Sequence, residues 1–182
     1  MKNIYVFSGP CGCGKSTLAD AYARHLVTAS DKLQIYVIHG DDFHKGFAET
    51  DRHVGSSCPG FLYWSDILIF NWECILNTAR SALTRGLDVI IDYVIEDELP
   101  LLKELAQANQ ARLYYVVLTA SQEELRQRLI RRGSSSLIDR SLFLKGKLEA
   151  LPENQGHLYS TSGKTPEQEV EELAISGYEI IL

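Results

Sequence analysis

The chain has 182 residues, 45% of them hydrophobic and 23% charged, with a formal net charge of −6 at neutral pH. That is enough apolar material for one well-buried core, and no linker rich in proline, glycine and serine divides it, so a single domain over residues 1–182 is expected. The acidic balance opposes a surface built to neutralise nucleic-acid phosphates or an anionic membrane, and no run of about 20 apolar residues is present to span a bilayer.

Residues 3–8, Asn-Ile-Tyr-Val-Phe-Ser, form a short apolar run ended by Gly9-Pro10, which suits a buried strand. This N-terminus meets glycine too early for a signal peptide, so a cytoplasmic protein acting on a small soluble partner, as monomer or homodimer, is the expectation. Gly9, Pro10, Cys11, Gly12, Cys13, Gly14, Lys15 and Ser16 then read G-x-x-x-x-G-K-S, a full match to a phosphate-binding loop. Glycines let the backbone turn successive N–H groups inward, and the helix that follows presents its positive end, so both attract polyphosphate oxygens. In this chemistry Lys15 reaches the β- and γ-phosphates of ATP, the Ser16 hydroxyl holds Mg²⁺, and Thr17 sits near the α-phosphate. The helix is read from Leu18, Ala19, Tyr22 and Leu26, which share one face.

Cys11 and Cys13 raise a competing reading as metal ligands. Two ligands do not make a zinc site, and the other cysteines, Cys58 and Cys74, stand alone, so reduced thiols are expected.

Strands then alternate with helices. "LQIYVIHG" (33–40) reads as the second strand, "YWSDILIFNWECILNTARSAL" (63–83) as a long helix, and "DVIIDYV" (88–94) as the third strand. A helix opens near Glu98 with Pro100 in its first turn, and "RLYYVVL" (112–118) is the fourth strand. Ser121 with Glu124, and Thr165 with Gln168, are capping boxes that open helices over 121–132 and 165–175, the latter ended by Gly177. "GHLYST" (156–161) supplies a fifth strand and "YEIIL" (178–182) a sixth at an edge. Such alternation predicts an α/β fold of three layers, helix–sheet–helix, with a parallel five-stranded sheet. The right-handed crossover rule and a central phosphate loop give the order 2-3-1-4-5.

Phosphoryl transfer also needs a carboxylate to organise Mg²⁺, positive charge for the moving group, and a residue to orient the acceptor. "VIID" ends in Asp92, placing a carboxylate at the carboxyl end of a strand, facing the metal. Asp41 and Asp42 are placed at the end of the second strand, where side-chain alternation allows only one of the pair to face a substrate. Between Arg126 and Lys147 stand seven basic residues, Arg126, Arg128, Arg131, Arg132, Arg140, Lys145 and Lys147, against one acid, Asp139. Arg128 and Arg132 share a helix face, and "GSSS" follows, as in a lid over roughly 126–147 that brings guanidinium groups to the phosphates.

With these motifs the chain resembles the P-loop small-molecule kinases. Gluconate kinases carry a Gly-Asp-x-x-His where this chain has Gly40-Asp41-Asp42-Phe43-His44, chloramphenicol phosphotransferase an Asp-Ser-Phe, and shikimate kinase a pair of aspartates. The resemblance implies the P-loop NTPase fold with a helical lid, and a γ-phosphoryl transfer from ATP, with Mg²⁺, to a hydroxyl of a small molecule such as a gluconate-like sugar acid. It makes Asp41 the acceptor-orienting residue, Arg128 and Arg132 lid arginines, and Ser162, Gly163 and Lys164 the lining of the adenine. Asp42, His44 and Arg52 belong to an irregular acceptor stretch, residues 41–64, of a length that is usually functional. The chain departs from the family where gluconate kinases have proline and it has Lys45, and it lacks the Gly-Gly-Gly of shikimate kinase after the third strand. Two other classes stay open, a polynucleotide or nucleotide kinase-like enzyme, which the acidic balance opposes, and a nucleotide-binding regulatory ATPase, for which an acceptor residue such as Asp41 has no use.

Overall fold

The computed structural model describes residues 1–29, 34–47, 63–173 and 175–182. Along the chain run β1 (Lys2–Ser8), α1 (Lys15–Ala29), β2 (Ile35–His39), α2 (Asp41–Lys45), α3 (Trp64–Thr84), β3 (Asp88–Asp92) and α4 (Leu99–Ala108). They are followed by β4 (Ala111–Thr119), α5 (Gln122–Arg131), α6 (Ile138–Ala150), β5 (Leu158–Ser160), α7 (Pro166–Glu172) and β6 (Glu179–Ile180). The sheet order is β2-β3-β1-β4-β5, all parallel, as the sequence predicts. β6 adds a short antiparallel pairing to β4, with Leu113 opposite Ile180.

Both faces of the sheet are covered, which is why its strands are apolar throughout rather than alternating. Ile4, Val6, Val89, Ile91, Leu113 and Tyr115 pack with Ile75, Ala79 and Leu83 of α3 and Leu102 of α4. Their neighbours Tyr5, Phe7, Ile90, Tyr114 and Val116 face the other way, onto Leu18 and Tyr22 of α1, Leu125 of α5 and Val170 of α7. The strand period of two thereby sorts each strand between two cores.

Two expectations are corrected, while the helix expected in the lid segment after "GSSS" is present. Asp41 and Asp42 do not end a strand: β2 stops at His39, and both aspartates lie in α2, a helix of 5 residues. Alternation therefore cannot choose between them, and both are exposed. The segment after "GSSS" is helical, with Ser141, Leu144 and Leu148 of α6 buried on one face. α7 ends at Glu172, before the predicted stop at Gly177, which lies in a 3₁₀ turn.

Glu169 of α7 is 5% exposed, and burial pushes its carboxyl up to about 7 against the pull of Arg128 and Lys164. A carboxyl raised above its ordinary 4.5 stabilises the fold in its protonated form, fully at low pH, and that contribution is lost as pH rises through about 7. Glu169→Gln stays neutral, so its thermal midpoint should match the wild type at about pH 4 and exceed it by a few degrees at about pH 8. The same offset at both pH values would contradict this.

Candidate active site

The phosphate loop leaves the carboxyl end of β1, the central strand, and enters α1. Gly9, Gly12 and Gly14 have φ of 138°, 83° and 104°, values that side chains resist. At Gly9 a Cβ would also lie 2.3 Å from the Leu118 carbonyl oxygen, so the loop sits hard against β4. Lys15 folds back over the loop, its Nζ donating to the carbonyls of Gly9 (2.9 Å) and Pro10 (3.1 Å). From outside, the Ser141 hydroxyl donates to the Cys11 carbonyl at 2.7 Å. The Arg128 guanidinium donates to the carbonyls of Gly12 (3.5 Å) and Cys13 (3.3 Å), and the Thr161 hydroxyl to that of Cys13 at 3.0 Å. Cys13 is fully buried, and burial pushes its thiol pKa up, while Cys11 is partly exposed; with Cys74, both are free thiols. Ser16 and Thr17 are exposed in the first turn of α1.

Asp92 ends β3 beside the loop, 2% exposed, with the Ser16 hydroxyl next to its carboxylate. Burial pushes the carboxyl upward, and His39 and Ser16 oppose it. Two hard oxygen groups thus converge next to Lys15, the donor type that Mg²⁺ takes. Among the described residues no group of three or more His, Cys, Asp and Glu side chains could hold a metal. An ion at Ser16 and Asp92 would therefore share its shell with phosphate oxygens and water, as Mg²⁺ in kinase sites does.

Gly40 carries the turn from β2 into α2. Its N–H donates to the Asp92 carbonyl at 3.0 Å, its own carbonyl accepts from Asn71 Nδ2 at 3.0 Å, and a Cβ would lie 2.5 Å from the Tyr93 ring. Asp41, the next residue, is therefore held close to the end of β3. Asp42 is engaged by Lys45 at 2.7 Å, and that hydrogen bond holds its carboxyl below the usual range. His44 packs edge-on to Trp64 with centroids 5.8 Å apart. Arg52 lies outside the described residues.

The basic segment is less free than its charge implies. Besides the loop carbonyls, Arg128 donates to the Thr161 hydroxyl and carbonyl, each at 3.0 Å, and lies 3.7 Å from Glu124. In this arrangement it braces the loop from outside. Arg140 and Lys147 both pair with Glu96, and Lys145 with Glu149. Arg132 caps the exposed end of α5 and makes no ion pair among the described residues. In the predicted adenine segment, the Ser121 N–H donates to the Ser162 hydroxyl at 2.8 Å and the Gly163 N–H to Glu124 at 2.9 Å. The Ser162 hydroxyl and the Gly163 N–H hold the Glu124 carboxyl down at about 2. Lys164 turns away to Glu172 (2.7 Å) and the Tyr159 ring.

Sequence reasoning passed over His39 and Asp20. His39 Nδ1 lies 2.6 Å from Asp92 Oδ2, and its Nε2 lies 3.3 Å from Asp20 Oδ1. The available signal was spacing: Asp20 follows Ser16 by four residues, one helical turn on the same face.

A phosphate loop on the central strand, with Ser16 beside a carboxylate on the neighbouring strand, defines a P-loop nucleotide-binding protein of kinase-like α/β fold. A family model described as an AAA domain matches residues 4–149, and the chain belongs to that family. It is 27% identical over 141 residues to a guanylate kinase of Geobacter metallireducens, covering 73% of this chain and 66% of that relative's length. The tunicamycin resistance protein of Deinococcus radiodurans shares the fold at TM-score 0.66 and 18% identity, covering 97% of this chain and 95% of that one. A gluconokinase of Sinorhizobium meliloti does so at TM-score 0.56 and 19% identity, covering 97% and 91%. Among the described residues no helix is long and apolar enough to cross a membrane.

Because the Tyr93 ring fills the space beside Gly40, Gly40→Ala should lower stability by about 2 kcal/mol and displace the β2–α2 turn. Gly46→Ala, whose Cβ would stand 3.4 Å from the Phe43 carbonyl, should have little effect. Thermal denaturation of both checks this; equal midpoints would contradict it.

Proposed function

We propose that the chain is an ATP-dependent phosphotransferase that moves the γ-phosphoryl group to a hydroxyl of a small molecule, for example a sugar acid. One observation carries the reading. Lys15, Ser16 and Asp92 converge at the carboxyl ends of β1 and β3, while the exposed Asp41 stands one residue past Gly40, itself hydrogen-bonded to Asp92. The loop's backbone N–H groups, apart from that of Cys13, which donates to the Pro10 carbonyl, and the N-terminus of α1 receive the polyphosphate. Lys15, now donating to loop carbonyls, exchanges them for β- and γ-phosphate oxygens. When bound, Mg²⁺, held by Ser16 and Asp92, offsets charge on the phosphates.

Asp41 orients the acceptor hydroxyl and takes its proton late, in a loose transition state. Asp42, His44 and Arg52 would line the acceptor side. Arg132, unlike Arg128, is free to approach the phosphates from the lid segment. The similarity to guanylate kinases favours a second reading, a nucleoside monophosphate as acceptor.

ATP consumption against sugar acids, nucleosides, GMP and other nucleoside monophosphates separates the two readings. With the active acceptor, Lys15→Ala should lower turnover by about 10²-fold or more without loss of folding. In calorimetric titrations with Mg·ATP, Asp41→Asn should keep nucleotide affinity and lose phosphoryl transfer, whereas Asp92→Asn should weaken the Mg²⁺ dependence of binding. The opposite pattern would reverse the two roles, and an unchanged Lys15→Ala would remove the basis of the reading.

A further inference from the structure

We propose that His39 is a positioning residue for the Asp92 carboxylate, anchored from behind by Asp20, so that Asp92 presents its oxygens toward Ser16 in one fixed orientation. The proposal rests on the reading of Ser16 and Asp92 as the pair that holds Mg²⁺. Its basis is a continuous side-chain chain, Asp20–His39–Asp92–Ser16, drawn from α1, β2 and β3.

His39 and Asp92 are direct partners in the parallel register of β2 and β3. They continue the face of Val37 and Ile90, which looks onto α1, and α1 supplies both Ser16 and, one turn on, Asp20. The imidazole therefore lies between two carboxylates, with Nδ1 on Asp92 and Nε2 on Asp20. A carboxylate that ends a strand turns about its χ angles unless something holds one of its oxygens. Here Oδ2 is held at 2.6 Å in a side chain that is 3% exposed. Groups of this kind, hydrogen-bonded behind a metal-binding side chain, typically change metal affinity by about 10- to 100-fold when removed.

His39 touches no phosphate-binding group of the loop, so its removal should affect the metal and spare the nucleotide. The test is calorimetry of ATP binding to the full chain, first in EDTA and then across a Mg²⁺ series, with the Mg²⁺ concentration that gives half the gain in affinity as the readout. For His39→Ala, that concentration should rise by about tenfold, while affinity in EDTA stays within about twofold of wild type. His39→Asn, whose amide N–H takes the place of Nδ1, should recover to within about threefold.

An unchanged Mg²⁺ half-point in His39→Ala would overturn the proposal. So would a parallel loss of affinity in EDTA, the mark of a merely structural role, or a His39→Asn no better than the alanine. If His39→Ala does not fold, Asp20→Asn decides, because Asp20 is half-exposed and outside the metal pair: a smaller shift in the same direction supports the proposal, and none overturns it. Asp92→Asn in the same series separates the two failures. If it shifts the half-point and His39→Ala does not, positioning by His39 is wrong; if neither shifts it, the metal reading of Asp92 is wrong as well.

Discussion

The phosphate loop works only if its N–H groups point inward, and the structure secures this by occupying the carbonyls. Every carbonyl from Gly9 to Gly14 has a donor: Lys15 on Gly9 and Pro10, Ser141 on Cys11, Arg128 on Gly12, Arg128 and Thr161 on Cys13, and the Leu18 N–H on Gly14. A peptide unit whose oxygen is held on one side directs its N–H to the other. Lys15 and Leu18 belong to α1, but Arg128, Ser141 and Thr161 come from α5, α6 and the residue after β5, far along the chain, so the segments after β4 close around residues 11–13. A loop held this way is largely preorganised: when Lys15 leaves the Gly9 and Pro10 carbonyls for phosphate oxygens, the donors on Cys11 to Gly14 stay in place.

The same closure explains where the positive charge of the second half goes. Arg128 is spent on carbonyl oxygens, and Arg140, Lys145 and Lys147 on Glu96 and Glu149. Among the described residues Arg126, Arg131 and Arg132, all on or at the end of α5, make no ion pair. The acidic groups divide likewise. Asp92 is buried and tied to Ser16 and His39, whereas Asp41 is exposed beside the turn at Gly40. Burial and hydrogen bonding thus give two nearby carboxylates different chemical characters, which is what a metal-holding residue and an acceptor-facing residue require.

Much of this was legible in the sequence where the signal is contiguous. The loop is eight consecutive residues between an apolar strand and an amphipathic helix, and Asp92 ends an apolar run, so both could be read along the chain. The sheet order followed from alternating units and the handedness of their crossovers. Asp20 and His39 were not legible, because their meeting depends on the register of β2 with β3 and on the rotation of α1. Arg128 was read from charge alone, and its commitment to carbonyls depends on Thr161 and the loop lying beside it. α2 buries none of its residues and has no apolar periodicity to reveal it, so along the sequence its two aspartates read as a strand end.

The rest of the site depends on the backbone N–H groups of the loop forming a ready site for polyphosphate. Two-dimensional ¹H–¹⁵N spectra during titration with Mg·ATP test it most directly, since an amide that donates to an anionic oxygen moves strongly downfield. Large downfield shifts are expected for the amides of Gly14, Lys15 and Ser16, with small changes at strand amides such as those of Ile4 and Val89. Saturable binding of Mg·ATP that leaves the loop amides in place would contradict it.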